Sequence, residues 1–202
     1  MPTAQRLVVY LMAGWSGYYV MAIELLSGRI LAPNFGNSIY VWGGIITVFM
    51  VALSVGYLAG GQLSVFAPTQ AKLAGLLLAA AGATLPIVLF GDAVLDWLFN
   101  RVHDPRYASL IASSTLFFVP TVVSGMVSPY AVRLLATSVR ATGRSAGLLF
   151  FVSTFGSAAG TILTSFYMVL WFEVNQIFMG MIAVSVVIGV AALAFRNGRA
   201  PD

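Results

Sequence analysis

"LVVYLMAGWSGYYVMAIELLSGRILAPNFGNSIYVW", residues 7–42, begins with a twenty-residue run, 7–26, in which Glu24 is the one charged side chain. Crossing the hydrocarbon core of a bilayer as a helix takes about 20 consecutive, mostly apolar residues. The run 7–26 therefore reads as a transmembrane span. It is too long for the apolar core of a signal peptide, contains a carboxylate, and lacks a small-residue cleavage site. Arg29, Pro33, Gly36 and Asn37 then interrupt the pattern before it resumes at Ile39. The reading is a helix through lipid, a polar break at the outer surface, and a return.

Working outward, five more stretches meet the same length requirement, roughly 39–61, 71–90, 107–128, 147–170 and 174–195. The composition agrees, with 60% hydrophobic and 8% charged residues, against about 25% charged in an average soluble domain. The expected fold is an all-α integral membrane protein of six transmembrane helices, one domain over 1–202, with no soluble catalytic domain. The segment 92–99, "DAVLDWLF", is too short to cross and predicts a separate interfacial turn or two, with Trp97 at headgroup level. With no cysteine there is no disulfide, thiolate metal site or cysteine nucleophile, and His103 is the single histidine. No metal or cofactor site is expected, and the net charge of +4 reflects membrane orientation rather than a nucleic-acid partner.

Cytoplasmic loops are enriched in Lys and Arg. With the amino terminus inside, Arg6, Lys72, Arg133, Arg140, Arg144, Arg196 and Arg199 fall on the cytoplasmic side, and only Arg29, Arg101 and Arg106 outside. Seven against three predicts both termini cytoplasmic. Shifting the chain by 100 residues brings Gly43, Gly56, Ala59, Gly60, Leu63 and Phe66 onto Gly143, Gly156, Ala159, Gly160, Leu163 and Phe166. Two units, about 1–100 and 101–202, would each carry three spans, an odd number, so the second would be inverted. Inverted repeats are a common construction in transporters, with the substrate site at the repeat interface. The pairs Gly56/Gly60 and Gly156/Gly160 suit close helix packing, in which small residues let backbones approach.

An acid within the membrane is costly and by default suggests a functional site with a partner. On helix 1, Glu24 shares a face with Ala13 and Gly17, and Arg29 is its natural partner if the chain breaks at "SGR". Two readings stand: a carboxylate clamping the loop "APNFGNS", or a cation or proton site. Both require burial, and only the second requires access from water. Tyr40 and Trp42 are either aromatic-belt anchors or walls of a cation pocket, since ammonium groups bind aromatic faces. Pro120 predicts a kink in helix 4 and Pro129 its end, followed by a short amphipathic cytoplasmic helix over 130–140. Arg133, Arg140 and Arg144 are candidate contacts for lipid headgroups or a cytosolic partner. Neither a P-loop nor a dinucleotide fingerprint is present, and a lone histidine in a polar loop is a poor base for a buried serine, so the chain is not expected to be an enzyme.

The segments "ELLSGRILAPNFGNSIYVWGGIITVFMVALSVGYLAGGQLS" (24–64), "GMVSPYAVRL" (125–134) and "GRSAGLLFFVSTFGSAAGT" (143–161) carry a resemblance. The chain resembles, over nearly its whole length, the amino-terminal membrane domain of bacterial membrane-bound spermidine-synthase-like proteins, the fused transporter/spermidine synthases. The matching positions are Glu24, Gly28, Arg29, Pro33, Gly36, Trp42, Gly56, Gly60, Pro129, Arg133, Gly143, Arg144, Gly147 and Gly156. The resemblance implies a bacterial inner-membrane module that transports polyamine or another small cation, or docks a cytosolic aminopropyltransferase-like polypeptide. Full-length members continue into a cytosolic synthase domain, whereas this sequence stops at "FRNGRAPD", leaving a stand-alone module, a synthase on a separate polypeptide, or a longer parent protein as expectations. The alternative from a different class is a non-catalytic accessory subunit packing its small-residue faces against a larger membrane complex.

Overall fold

The computed structural model describes the backbone of residues 3–136 and 139–197, and side chains within 3–136 and 143–194. Every regular element among them is helical: α1 Thr3–Phe35, α2 Ile39–Leu63, α3 Gln70–Arg101, α4 Pro105–Gly125, α5 Val127–Leu135, α6 Val139–Leu163, α7 Val169–Trp171 and α8 Val174–Asn197, with a π-helical segment Thr164–Met168 joining α6 to α7. Six helical stretches are long and apolar enough to cross a membrane, α4 with α5 making one and α6 through α7 another. The chain is a multi-pass membrane protein.

Local chemistry sets the ends. At Gly36 the backbone turns left-handed (φ 78°) and its amide donates to the Ala32 carbonyl at 2.9 Å, closing α1 as glycine readily does. The Thr69 hydroxyl accepts from the Lys72 amide at 3.3 Å and caps α3. Asp104 accepts from the Arg106 amide at 2.9 Å, with Pro105 opening α4 where a missing donor costs nothing. In the tight turn before α8, the Glu173 amide donates to Gln176 Oε1 at 3.1 Å, half of a capping box.

Three expectations need correction. The chain does not break at "SGR": α1 runs unbroken through 27–29 and carries Pro33 within its last turns, where loss of one hydrogen bond is tolerated. The segment 92–99 is no separate interfacial turn but the continuous carboxyl-terminal end of α3, whose buried Leu95 and Leu98 keep it in the bundle. Pro129 does not end a helix; α4 stops at Gly125, and Pro129 sits in the first turn of α5, which covers 127–135 rather than 130–140.

α1 is the hub. It packs against α6 along most of its length and touches α2, α3, α4, α5 and α8; α2 pairs with α4 and α5, and α3 with α8. Lipid tails are as apolar as leucine, so close packing and interhelical hydrogen bonds must hold such a bundle. The glycines supply the approach. A Cβ on Gly56 or Gly60 would strike the carbonyl oxygens of Val122 and Met126, and one on Gly156 or Gly160 those of Gly14 and Tyr18. Two apolar clusters form the interior, one around Ile23, Phe49, Phe117 and Phe178, the other around Met12, Leu73, Tyr130 and Leu149. Tyr130 also ties down the loop before α3, its oxygen accepting from the Thr69 amide at 2.9 Å.

Gly61, one residue from Gly60, has nothing within 4 Å of the point where a Cβ would stand. Gly60→Ala and Gly156→Ala are therefore expected to destabilise the folded bundle by about 1–3 kcal/mol through overpacking. Gly61→Ala should stay within about 0.5 kcal/mol of the native protein. Equilibrium unfolding in mixed micelles measures all three, and equal effects at Gly60 and Gly61 would contradict the packing described.

Candidate functional site

The residues singled out from the sequence do not converge. On a continuous helix Glu24 and Arg29 are five residues apart, which turns them about 140° from each other. Glu24 is half-buried and Arg29 exposed, and no ion pair joins them. Tyr40 and Trp42 point to nearly opposite sides of α2. Tyr40 is exposed and carries the Arg106 guanidinium 4.5 Å from its ring centre. Trp42 puts its six-membered ring where a Gly28 side chain would be and donates from Nε1 to Asn37 Oδ1 at 2.8 Å. Gly28 thus makes room for an indole that staples α2 onto α1. Arg133 and Arg144 are exposed at the end of the bundle that holds the amino terminus, and the side chain of Arg140 lies outside the described residues.

A different constellation does converge, on the middle of α1. The Trp15 indole donates to Ser185 Oγ on α8 at 2.8 Å. The Ser16 hydroxyl donates to the Ser124 carbonyl on α4 at 3.1 Å, and the Tyr19 hydroxyl to Thr84 Oγ1 on α3 at 2.8 Å. The Tyr18 hydroxyl also donates to Met168 Sδ in the π-helical segment at 3.2 Å, so that within five residues α1 is bonded to four other helical elements. This polar layer lies where the two apolar clusters meet.

In the same layer is a cavity of about 180 Å³, lined by the hydroxyl-bearing residues Ser16, Tyr57, Ser124, Ser128, Ser153 and Ser157, with Gly17, Val20, Met21, Leu53 and Gly125. It sits near the middle of α1, α2 and α6. Its existence follows from the glycines: Gly17 brings α1 onto the Ser153 carbonyl, and a Cβ on Gly125 would lie 3.3 Å from the Leu53 carbonyl, leaving small polar side chains where large ones would fill the space. Ser124 is 3% exposed, and its hydroxyl has no hydrogen-bond partner among the described residues. Buried hydroxyls are normally paired, so this one is available to water or a ligand.

Hydroxyls both donate and accept, so the lining itself prefers neither sign of charge. The nearest bias is Glu24, one turn beyond Val20 and Met21 and within about 20° of Gly17 on the face of α1 that lines the cavity. Among the described residues, no histidine, carboxylate or lysine lines the cavity to activate a serine. His103 lies at the other end of the structure from the amino terminus, beside Asn34, Phe99 and Asn100. The arrangement can hold a small polar or cationic molecule by hydroxyl contacts.

Sequence reasoning missed this cavity because serine in a membrane helix is commonplace on its own. The available signal was the repeated Ser-Gly pair, Ser16-Gly17 and Ser124-Gly125, together with Ser153 and Ser157 one turn apart. Comparison with protein families, curated proteins and solved structures finds no match to this chain.

Because its hydroxyl bonds to nothing nearby, Ser124→Ala should leave stability within about 0.5 kcal/mol of native or raise it slightly. Tyr19→Phe, which removes a bond between α1 and α3, should cost about 0.6 kcal/mol. A loss well above 1 kcal/mol for Ser124→Ala, in the same unfolding assay, would mean that its hydroxyl is structural.

Proposed function

We propose that this chain is a transport module of a bacterial inner membrane, built from two inverted three-span units, which takes a small organic cation into the serine-lined cavity. The single observation that carries the reading is how the two halves exchange partners. An offset of 108 residues in the first helix of each unit relates Ser16 to Ser124 and Gly17 to Gly125 (124 − 16 and 125 − 17). An offset of 100 in the second relates Gly56, Gly60, Leu53 and Tyr57 to Gly156, Gly160, Ser153 and Ser157. Under those offsets the contacts of Gly56 with Val122 and Gly60 with Met126 correspond to those of Gly156 with Gly14 and Gly160 with Tyr18. The pairings α1 with α6 and α2 with α4 likewise exchange, while α3 and α8 pair with each other. The cavity is lined by residues from both halves, where transporters with inverted repeats hold their substrates.

The basic residues support both termini facing the cytoplasm: Arg6, Lys72, Arg133 and Arg144 flank the chain ends and loops at one side of the bundle. Glu24 supplies the counter-charge on the outer approach, and polyamine is the substrate class the resemblance to spermidine-synthase-like membrane domains implies. Docking of a cytosolic aminopropyltransferase-like polypeptide at the basic end is compatible with this role. An accessory subunit using its small-residue faces has less support, since Gly56, Gly60, Gly156 and Gly160 are already packed inside the chain.

The test is uptake of radiolabelled spermidine into proteoliposomes. Native protein should accumulate it in a saturable way, Glu24→Gln should lower uptake at least tenfold, and Ser128→Leu, which fills the cavity, should abolish it. No uptake by native protein would remove the substrate class. Normal uptake by Ser128→Leu would remove the cavity from the path.

A further inference from the structure

The end of α1 nearest the amino terminus borders a second feature, unrelated to the serine cavity. A cleft of about 600 Å³ is lined by Arg6 and Arg144, with the hydroxyl-bearing Thr3, Tyr10 and Ser145. Arg6 is only half-exposed, and its Nε is buried with no acceptor among the described residues. A buried guanidinium nitrogen without an acceptor is costly, and two arginines on one cleft repel unless an anion lies between them. Among the described residues, no carboxylate lines this cleft to fill that need.

The cleft does not end there. Leu7 and Tyr10, which line it, also line a second cavity of about 740 Å³ that is almost wholly apolar and runs on between α1, α6 and α8. α6 and α8 each pack on α1 but scarcely on each other, so a trough opens between them over α1. Its walls include Phe155 on α6 and Val187 on α8, and its floor is the Gly14/Gly156 approach, where neither helix has a side chain to fill the space. Along α1 the trough extends from Leu7 to Tyr18, which at 1.5 Å per residue is about 16 Å. That is roughly half of a hydrocarbon core about 30 Å thick, the depth of one leaflet.

The geometry points to a specific site for an anionic phospholipid, its phosphate held between Arg6 and Arg144 and one acyl chain laid in the α1–α6–α8 trough. Charge complementarity at the mouth and the single-leaflet depth of the trough select this occupant over a peptide or a soluble anion. Guanidinium groups bind phosphate oxygens by paired, charge-assisted hydrogen bonds. Arg133, exposed elsewhere at the same end of the bundle, lines neither cavity and so provides the control.

Native mass spectrometry of protein in dodecyl maltoside, titrated with phosphatidylglycerol or phosphatidylcholine of identical chains, reads the site. The native protein should bind one phosphatidylglycerol saturably and at least tenfold more tightly than phosphatidylcholine. Arg144→Gln and the double variant Arg6→Gln/Arg144→Gln should bring that ratio close to one, while Arg133→Gln leaves it unchanged. Ala191→Phe, which narrows the trough from α8 without altering its charge, should weaken both lipids alike. Equal binding of the two lipids by native protein, or an equal loss with Arg133→Gln, would overturn the site and leave only general surface charge. Displacement of phosphatidylglycerol by millimolar glycerol phosphate would overturn the acyl-chain half, reducing the feature to an anion cleft.

Discussion

The approach of α1 to α6 sets the rest of the structure. Gly14 and Gly17 on one helix, with Gly156 and Gly160 on the other, bring backbone against backbone over about two turns. Nothing in a bilayer presses two apolar helices together, so the contact depends on surface shape and on having no side chains in between. Once made, it fixes what surrounds α1. It brings Ser153 and Ser157 beside Ser16, so that a polar cavity forms between them. It also leaves α8 on another side of α1, tied there by the Trp15–Ser185 hydrogen bond, with a trough between it and α6.

Polar and apolar forces are divided by depth. The two apolar clusters sit toward the two ends of the bundle, while the hydrogen bonds from Trp15, Ser16 and Tyr19 lie where they meet. Each such bond contributes little in a membrane, about 0.6 kcal/mol on average. Their value is in register: three directional contacts from five residues hold α1 at one rotation relative to α8, α4 and α3. A bundle held only by apolar surfaces could slide by a turn at small cost.

The number of spans was legible in the sequence because a 20-residue apolar run leaves few alternatives to crossing the membrane. The boundaries were less so. Arg29, Pro33 and the charged 92–99 segment look like breaks when a helix is expected to stop at the edge of the hydrocarbon. Yet α1 has 33 residues and α3 has 32, and both carry their polar ends beyond it. The expected Glu24–Arg29 pair followed from that supposed break and failed with it, because a continuous helix turns the two apart. The serine cavity was not legible since it is assembled from α1, α2, α4, α5 and α6, and no local pattern announces it. Its only trace was a Ser-Gly pair recurring at an offset of 108, while the recurring glycines of the second helices are offset by 100.

The π-helical turn at Thr164–Met168 has an effect on α6 and its continuation like that of a dislocation in a crystal row. One extra residue in the turn delays the angular phase of everything after it by about 100°. Before the fault, Ser153, Ser157 and Gly160 follow one another along α1. After it, Leu170, Trp171 and Phe172 are displayed outward, 72%, 79% and 56% exposed. The seam against α1 runs out at this fault: Tyr18 still reaches Met168 inside the π-helical turn, its hydroxyl 3.2 Å from the sulfur, and beyond it α7 holds no buried residue.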